Sequence, residues 1–148
     1  MDKKQLTREN SREAAFMLIF EKMFRDDSCE DIIEQAKLAD EYDFDEYSKE
    51  LFTAVTEKAA QLDEIIGRFS QTRAVDRMSK VSLAVMRIAV YESLFTPIPV
   101  NIAVSEAVII SQKYSLENDT KFVNGLLGSF AKSEYIPEDK RSSVTVKS

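Results

Sequence analysis

The sequence predicts an all-α protein, folded as a helical bundle. Apolar residues recur at steps of three and four along most of the chain, which is the period of helices that bury one face. Glycine and proline together account for only six of 148 residues, and this scarcity argues against long loops and turn-rich β architecture. A chain of this length can bury about two thirds of its unfolded surface in one core without disulfides.

The first two helices are predicted from their caps and their apolar steps. The stretch "TRENSREAAFMLIFEKMF" (7–24) has helical spacing, and Thr7, Asn10 or Ser11 can serve as its N-cap. Ser28 begins a shorter acidic segment, "SCEDIIEQAKLADEYD", with its isoleucines on one side.

A long third helix is expected from about Asp45 to Ile66, with Gly67 as its C-terminal stop. The next helix lies in "MSKVSLAVMRIAVYESLF" (78–95). It is apolar on nearly all sides, so we expect it to be central and buried. The segment "TPIP" (96–99) ends it.

Two more helices complete the pattern, in "VNIAVSEAVIISQKY" (100–114) and "DTKFVNGLLGSFAKS" (119–133). Asp119 or Thr120 is the expected cap of the last helix. Gly125 and Gly128 are unusual in so glycine-poor a chain, and we expect them to let a neighbouring helix approach closely.

Composition argues against an enzyme. The chain has no histidine, so the commonest general base and metal ligand is missing, and its one cysteine cannot form an internal disulfide. No glycine-rich phosphate loop occurs, and no cofactor site is expected.

The longest apolar run has seven residues, too short to span a bilayer, and there is no signal-peptide pattern. We therefore expect a soluble, cytoplasmic protein.

Charge is unevenly distributed along the chain. Residues 26–66 carry fourteen acidic and three basic side chains, a net charge of −11, whereas the net charge of the whole chain is −6. Residues 1–25 and 67–148 each carry a small positive excess. An acidic middle can therefore mask a basic face built from the two ends, and the acidic total does not exclude nucleic acid as a ligand.

Three stretches carry a family resemblance: "VMRIAVYE" (85–92), "VSEAVIISQKY" (104–114) and "KFVNGLL" (121–127). In order and interval they resemble the NusB family of bacterial transcription antitermination factors, and "SREAAFMLIF" (11–20) is similar to the opening helix of that family. The resemblance implies about seven helices in two packed subdomains within one domain, 1–136. We place the first helix group before about residue 66 and the second after about 73, and we expect the polar tail 137–148 to be disordered.

The resemblance implies a binding role. Members of the NusB family pair with NusE, a ribosomal protein of the small subunit. Together they bind the boxA element of nascent ribosomal RNA transcripts and promote read-through by the RNA polymerase antitermination complex. Some members are homodimers, which could cover the RNA face. A protein-binding helical scaffold without significant RNA affinity is the alternative, because the chain is acidic overall.

The RNA-binding residues implied by the resemblance include Lys121 and Phe122, expected in the first turn of the last helix, and Tyr114. An exposed aromatic beside a cation suits an unstacked base and its phosphate. Spacing alone favours a core position for Phe122, and it also allows Tyr114 to be partly buried. Asn124 is expected to be structural, bonding helix ends.

A second RNA-binding element is implied at the N-terminus, where family members carry an arginine cluster. This chain keeps Arg8 and Arg12 but has Glu9 and Asn10 between them, while Lys4 and its neighbour Lys3 can compensate. Fewer phosphate contacts mean weaker binding with a flatter salt dependence. A solvated helix start is the competing interpretation.

Two further groups complete the predicted sites. Arg87 and Glu106 each lie within an apolar helix, where an unpaired charge is costly, so we expect them to form a structural ion pair. For contact with NusE the resemblance indicates Phe20, Phe24 and Ser82, although Phe24 could equally belong to the core.

Overall fold

The fold is all-α, as the sequence predicts. The computed structural model describes residues 6–140, and within them it contains seven α-helices and no strand. The helices are α1 (Arg8–Lys22), α2 (Cys29–Ala39), α3 (Glu46–Glu57), α4 (Ala59–Arg68), α5 (Lys80–Phe95), α6 (Val100–Tyr114) and α7 (Glu117–Ala131). None of these described helices combines the length and the apolar character that crossing a bilayer requires.

The helix starts follow side-chain caps that can be read from the sequence. Thr7 is the N-cap of α1, since its hydroxyl accepts a hydrogen bond from the backbone N–H of Asn10 at 3.1 Å. Ser28 caps α2 in the same way. The cap expected for α7 was wrong: that helix begins at Glu117, two residues before Asp119.

The long helix expected over 45–66 is two helices. Lys58 separates α3 from α4 with φ −102° and ψ 12°, outside the helical region. Neither glycine nor proline marks this break. Asp45 starts α3 with a capping box, in which its carboxylate accepts from the backbone N–H of Ser48 at 3.0 Å. Burial alone would raise the pKa of Asp45, but this bond and a 2.6 Å bond from the Ser11 hydroxyl outweigh it and lower that pKa.

The chain divides between Lys58 and Ala59 into two compact units. In the first, α1 packs on α3, and α2 packs against both. Its core includes Phe16, Ile32 and Phe52, each at most 2% exposed. The boundary thus falls earlier than the interval 66–73 expected from the sequence, because α4 packs on α5.

In the second unit, α5 is the central helix, as predicted. It contacts α4, α6 and α7, and ten of its sixteen residues are buried. Such a helix has no solvent-facing stripe over most of its length, which explains why its sequence is apolar on nearly all sides.

Arg87 on α5 pairs with Asp63 on α4, so the predicted partner, Glu106, was wrong. Its Nε and Nη2 atoms donate to the two carboxylate oxygens of Asp63, each at 2.7 Å, in a bidentate pair. The two side chains are 15% and 25% exposed. This ion pair ties α4 to α5.

The expected disorder after residue 136 does not hold for residues 137–140. Ile136 is 1% exposed, and Glu138–Lys140 form a 3₁₀ turn. The Lys140 ammonium donates to the carbonyls of Glu92 (3.3 Å) and Thr96 (2.6 Å), where it caps the C-terminal end of α5. Burial lowers the pKa of Lys140. Residues 141–148 lie outside the described part of the chain.

Gly125 and Gly128 do not admit a neighbouring helix, so that expectation was wrong. A Cβ atom built on either residue meets nothing within 4 Å among the described residues. The outer face of α7 is therefore left without side chains at two successive turns.

We expect Gly125→Ala and Gly128→Ala each to raise the free energy of unfolding by about 0.5–1 kcal/mol. Alanine has the higher helix propensity, and both sites have room for its methyl group. Urea unfolding followed by circular dichroism measures the change. The matched control is Gly67→Ala on α4, where the new Cβ would lie 3.3 Å from the Val75 side chain. Destabilisation by Gly125→Ala would contradict this expectation, because it would require a neighbouring atom in contact with the new methyl group.

Candidate nucleic-acid interface

Lys121 and Phe122 lie in the second turn of α7 rather than in the first, because the helix begins at Glu117. Lys121 is exposed, and its ammonium lies 3.9 Å from the Glu117 carboxylate, with side chains 73% and 84% exposed. An ion pair so open to water stabilises the fold very little. Lys121 can therefore exchange this carboxylate for a phosphate.

Phe122 lies under the guanidinium group of Arg73. The guanidinium carbon of Arg73, from the segment between α4 and α5, lies 4.3 Å from the centre of the Phe122 ring. Asp119, one turn earlier on α7, accepts a hydrogen bond from Arg73 Nη1 at 3.2 Å. Both charged side chains are mostly shielded, at 33% and 25% exposure. Ring, guanidinium and carboxylate form one cluster, called here the Arg73 cluster.

The Arg73 cluster presents a flat cation next to a ring. Phe122 is half-buried, so it is neither a core residue nor a free aromatic platform. A base can stack on a guanidinium plane as well as on a ring, and the positive charge favours nearby phosphates. The cluster thus has the chemistry expected of an RNA contact.

No pattern in the sequence distinguishes Arg73 from other polar residues. It lies in a polar connection, 46 residues from Asp119 in the chain. Nothing in its spacing links it to α7, and only the packing of the second unit brings the two together.

A second cation and ring occur at the end of α6. The Lys113 ammonium lies 5.6 Å from the ring centre of Tyr114, whose side chain is 38% exposed. Tyr114 is therefore accessible to a ligand, and its role as an RNA contact stays a prediction.

The N-terminal cations separate into two kinds. Arg8 is exposed, with its guanidinium carbon 3.7 Å from the centre of the Tyr47 ring. Arg12 is 2% exposed and is among the largest fully buried side chains. Its expected role as a phosphate contact was wrong, since a buried guanidinium cannot reach solvent phosphates. Lys4 lies outside the described residues.

The residues predicted to contact a protein partner also differ among themselves. Phe24 is 61% exposed, and its ring meets that of Phe20 edge-on at 5.1 Å. Ser82 is fully buried, and its backbone N–H and hydroxyl both bond to the Ser79 side chain, which caps α5. Ser82 is thus part of a helix start, and its prediction as a contact was wrong.

Comparison with known proteins gives a consistent result. A family model described as the NusB family matches residues 9–132. The transcription antitermination protein NusB of Natranaerobius thermophilus is 33% identical over 132 residues, covering 85% of this chain and 95% of that protein. The protein of the same name from Thermoanaerobacter sp. (strain X514) is 42% identical over 93 residues, covering 63% of this chain and 66% of that protein.

Solved structures show the same fold. A structure of T. maritima NusB is 33% identical, with a TM-score of 0.77 and coverage of 93% of this chain and 98% of that one. A chain from a crystal structure of the antitermination factors NusB and NusE in complex with dsRNA matches in fold, with a TM-score of 0.71 at 23% identity, covering 82% of this chain and 93% of that one. With the family model spanning more than four fifths of its residues, the chain belongs to the NusB family.

Proposed function

We propose that this chain is a transcription antitermination factor that binds boxA-type RNA together with NusE. Membership of the NusB family and relatives named as antitermination proteins support this function. The observation that carries the RNA-binding part is the Arg73 cluster beside the exposed Lys121 on α7.

In this proposal the RNA is bound by stacking and charge at once. An unstacked base lies on the plane made by Arg73 and Phe122, and Lys121 contacts an adjacent phosphate. Asp119 does not touch the RNA; its hydrogen bond holds the Arg73 guanidinium over the ring. Arg8 supplies a further phosphate contact from α1, and its stacking on Tyr47 limits the directions in which it can reach.

NusE is expected to bind a different surface. The exposed Phe24 and half-buried Phe20 form an aromatic pair at the C-terminal end of α1. Aromatic side chains are enriched where proteins meet, and a ring as exposed as that of Phe24 is best explained by a partner. We further propose that the complex with NusE joins the RNA polymerase antitermination complex in the cytoplasm. A homodimer of this chain, without NusE and RNA, is its storage form.

The decisive test compares two substitutions of Arg73 in a titration of labelled boxA RNA with NusE present. Arg73→Lys keeps the charge but removes the plane, so affinity falls by about 1–3 kcal/mol while the salt dependence is retained. Arg73→Ala removes both, and log K then falls less steeply with log salt, by about 0.7. Phe122→Ala behaves like Arg73→Lys.

Arg77→Ala is the matched control, since it removes an exposed cation from the same connection. It should leave the binding of the RNA nearly unchanged. Equal affinity of Arg73→Lys and the parent would contradict the stacking role. A parent protein that binds NusE but no RNA would favour the protein-binding scaffold instead.

A further inference from the structure

A groove with polar and apolar lining lies between α6 and α7; Lys121 lines it and Phe122 does not. Its volume is about 440 Å³, within the about 300–1,000 Å³ of small-ligand sites. The lining comprises Val108 and Gln112 of α6, Ser115 of the connection, and Glu117, Thr120, Lys121 and Asn124 of α7.

The hydroxyls of this groove are already used within the fold. Ser115 donates to the backbone carbonyl of Ser111 at 2.7 Å, and the Thr120 hydroxyl lies 2.9 Å from that of Ser111. These bonds tie the start of α7 to α6 and make the groove a fixed feature of the second unit.

The two carboxamides differ from the hydroxyls. Gln112 and Asn124 are exposed, and neither side chain makes a hydrogen bond within residues 6–140. Asn124 lies in the middle of α7, so its expected role in bonding helix ends was wrong. Each carboxamide offers two donors and one acceptor to a ligand.

A pair of free carboxamides lining one groove matches the edge of a nucleobase. Asparagine and glutamine form paired hydrogen bonds with base edges, because both groups present a donor and an acceptor side by side. Sequence-specific readers of RNA bind unstacked bases by such edges. Val108 supplies an apolar surface for the flat face of the base.

Resting on the proposed function, we propose that this groove takes one unstacked nucleobase of the bound RNA, recognised by Gln112 and Asn124. Lys121 contacts the phosphate between this base and the one stacked on the Arg73 cluster. Glu117, also in the lining, excludes a phosphate from the groove itself, so the base enters and the backbone stays outside. The groove therefore determines sequence preference, and the Arg73 cluster supplies affinity.

The test is a set of boxA RNAs, each with one abasic nucleotide, titrated against the parent protein and Gln112→Ala/Asn124→Ala with NusE present. In the parent, the abasic position that empties the groove weakens binding about tenfold. The double variant binds the intact RNA about tenfold more weakly, and the same abasic position then has no further effect. Its salt dependence equals that of the parent, because no charge was removed.

Asn101→Ala is the matched control, an exposed amide at the other end of α6. It should leave both the affinity and the abasic profile unchanged. Melting temperatures of all variants should stay near that of the parent, since only exposed side chains change.

If the double variant keeps the affinity and abasic profile of the parent while Arg73→Lys loses RNA, the groove proposal is wrong and the proposed function stands. If the parent binds no boxA RNA with NusE present, both are wrong.

Discussion

Arg12→Ala is expected to lower the free energy of unfolding by about 3–5 kcal/mol, the range found when one member of a buried charged pair is removed. Arg12 is only 2% exposed, and a guanidinium at that depth is tolerated only where charged or polar groups satisfy it. Its removal leaves those groups unsatisfied and also leaves a cavity. Urea unfolding, followed by circular dichroism at 222 nm, measures the loss.

Arg8→Ala is the matched control, one turn earlier on the same helix. Arg8 is exposed and stacks on Tyr47, so its removal should lower stability by no more than about 1 kcal/mol. A variant Arg12→Ala with the stability of the parent and a flatter salt dependence of RNA binding would contradict the buried position. It would support the phosphate contact that the sequence had suggested.

Arg87→Ala should lower the free energy of unfolding by about 2–3 kcal/mol. It leaves the Asp63 carboxylate mostly shielded from water and without its bidentate partner. The expected loss lies below the about 3–5 kcal/mol of a fully buried pair because water still reaches both side chains. The double variant Asp63→Leu/Arg87→Met should recover part of the loss.

Double-mutant cycles identify the partner directly. The cycle of Arg87→Ala with Asp63→Ala should give a coupling energy of about 1 kcal/mol or more, and the cycle of Arg87→Ala with Glu106→Ala a value near zero. The opposite ranking would restore the pair predicted from the sequence.

Local features of this fold could be predicted from the sequence. Thr7 and Ser28 are residues that cap helices through their own hydroxyls, so their effect is decided within four residues. The buried α5 follows from its apolar composition. A pattern of this kind depends on the period of the helix and needs no knowledge of what the helix packs against.

Features that depend on distant residues could not be predicted. Asp63 and Arg87 are 24 residues apart, and the sequence contains many other acidic residues that could pair with Arg87. Only the packing of α4 on α5 selects Asp63. Only the packing of the second unit places Arg73 over Phe122 in the candidate site. The burial of Arg12 could not be predicted, because charged residues near a chain end are usually solvated and its burial depends on tertiary structure. The break between α3 and α4 at Lys58 could not be predicted because no glycine or proline occurs there.

The ammonium of Lys140 at the end of α5 bears on how the protein can be handled. Affinity tags and fluorescent labels are commonly fused to a C-terminus on the assumption that the last residues are inert. Here Lys140, which precedes the last eight residues of the sequence, satisfies the carbonyl groups of Glu92 and Thr96 at the end of the central helix. Truncation after Ile136 would expose those carbonyls to solvent, and acylation of the amine would remove the charge that holds it there. For binding assays, an attachment point on the exposed surface of α2 avoids this perturbation.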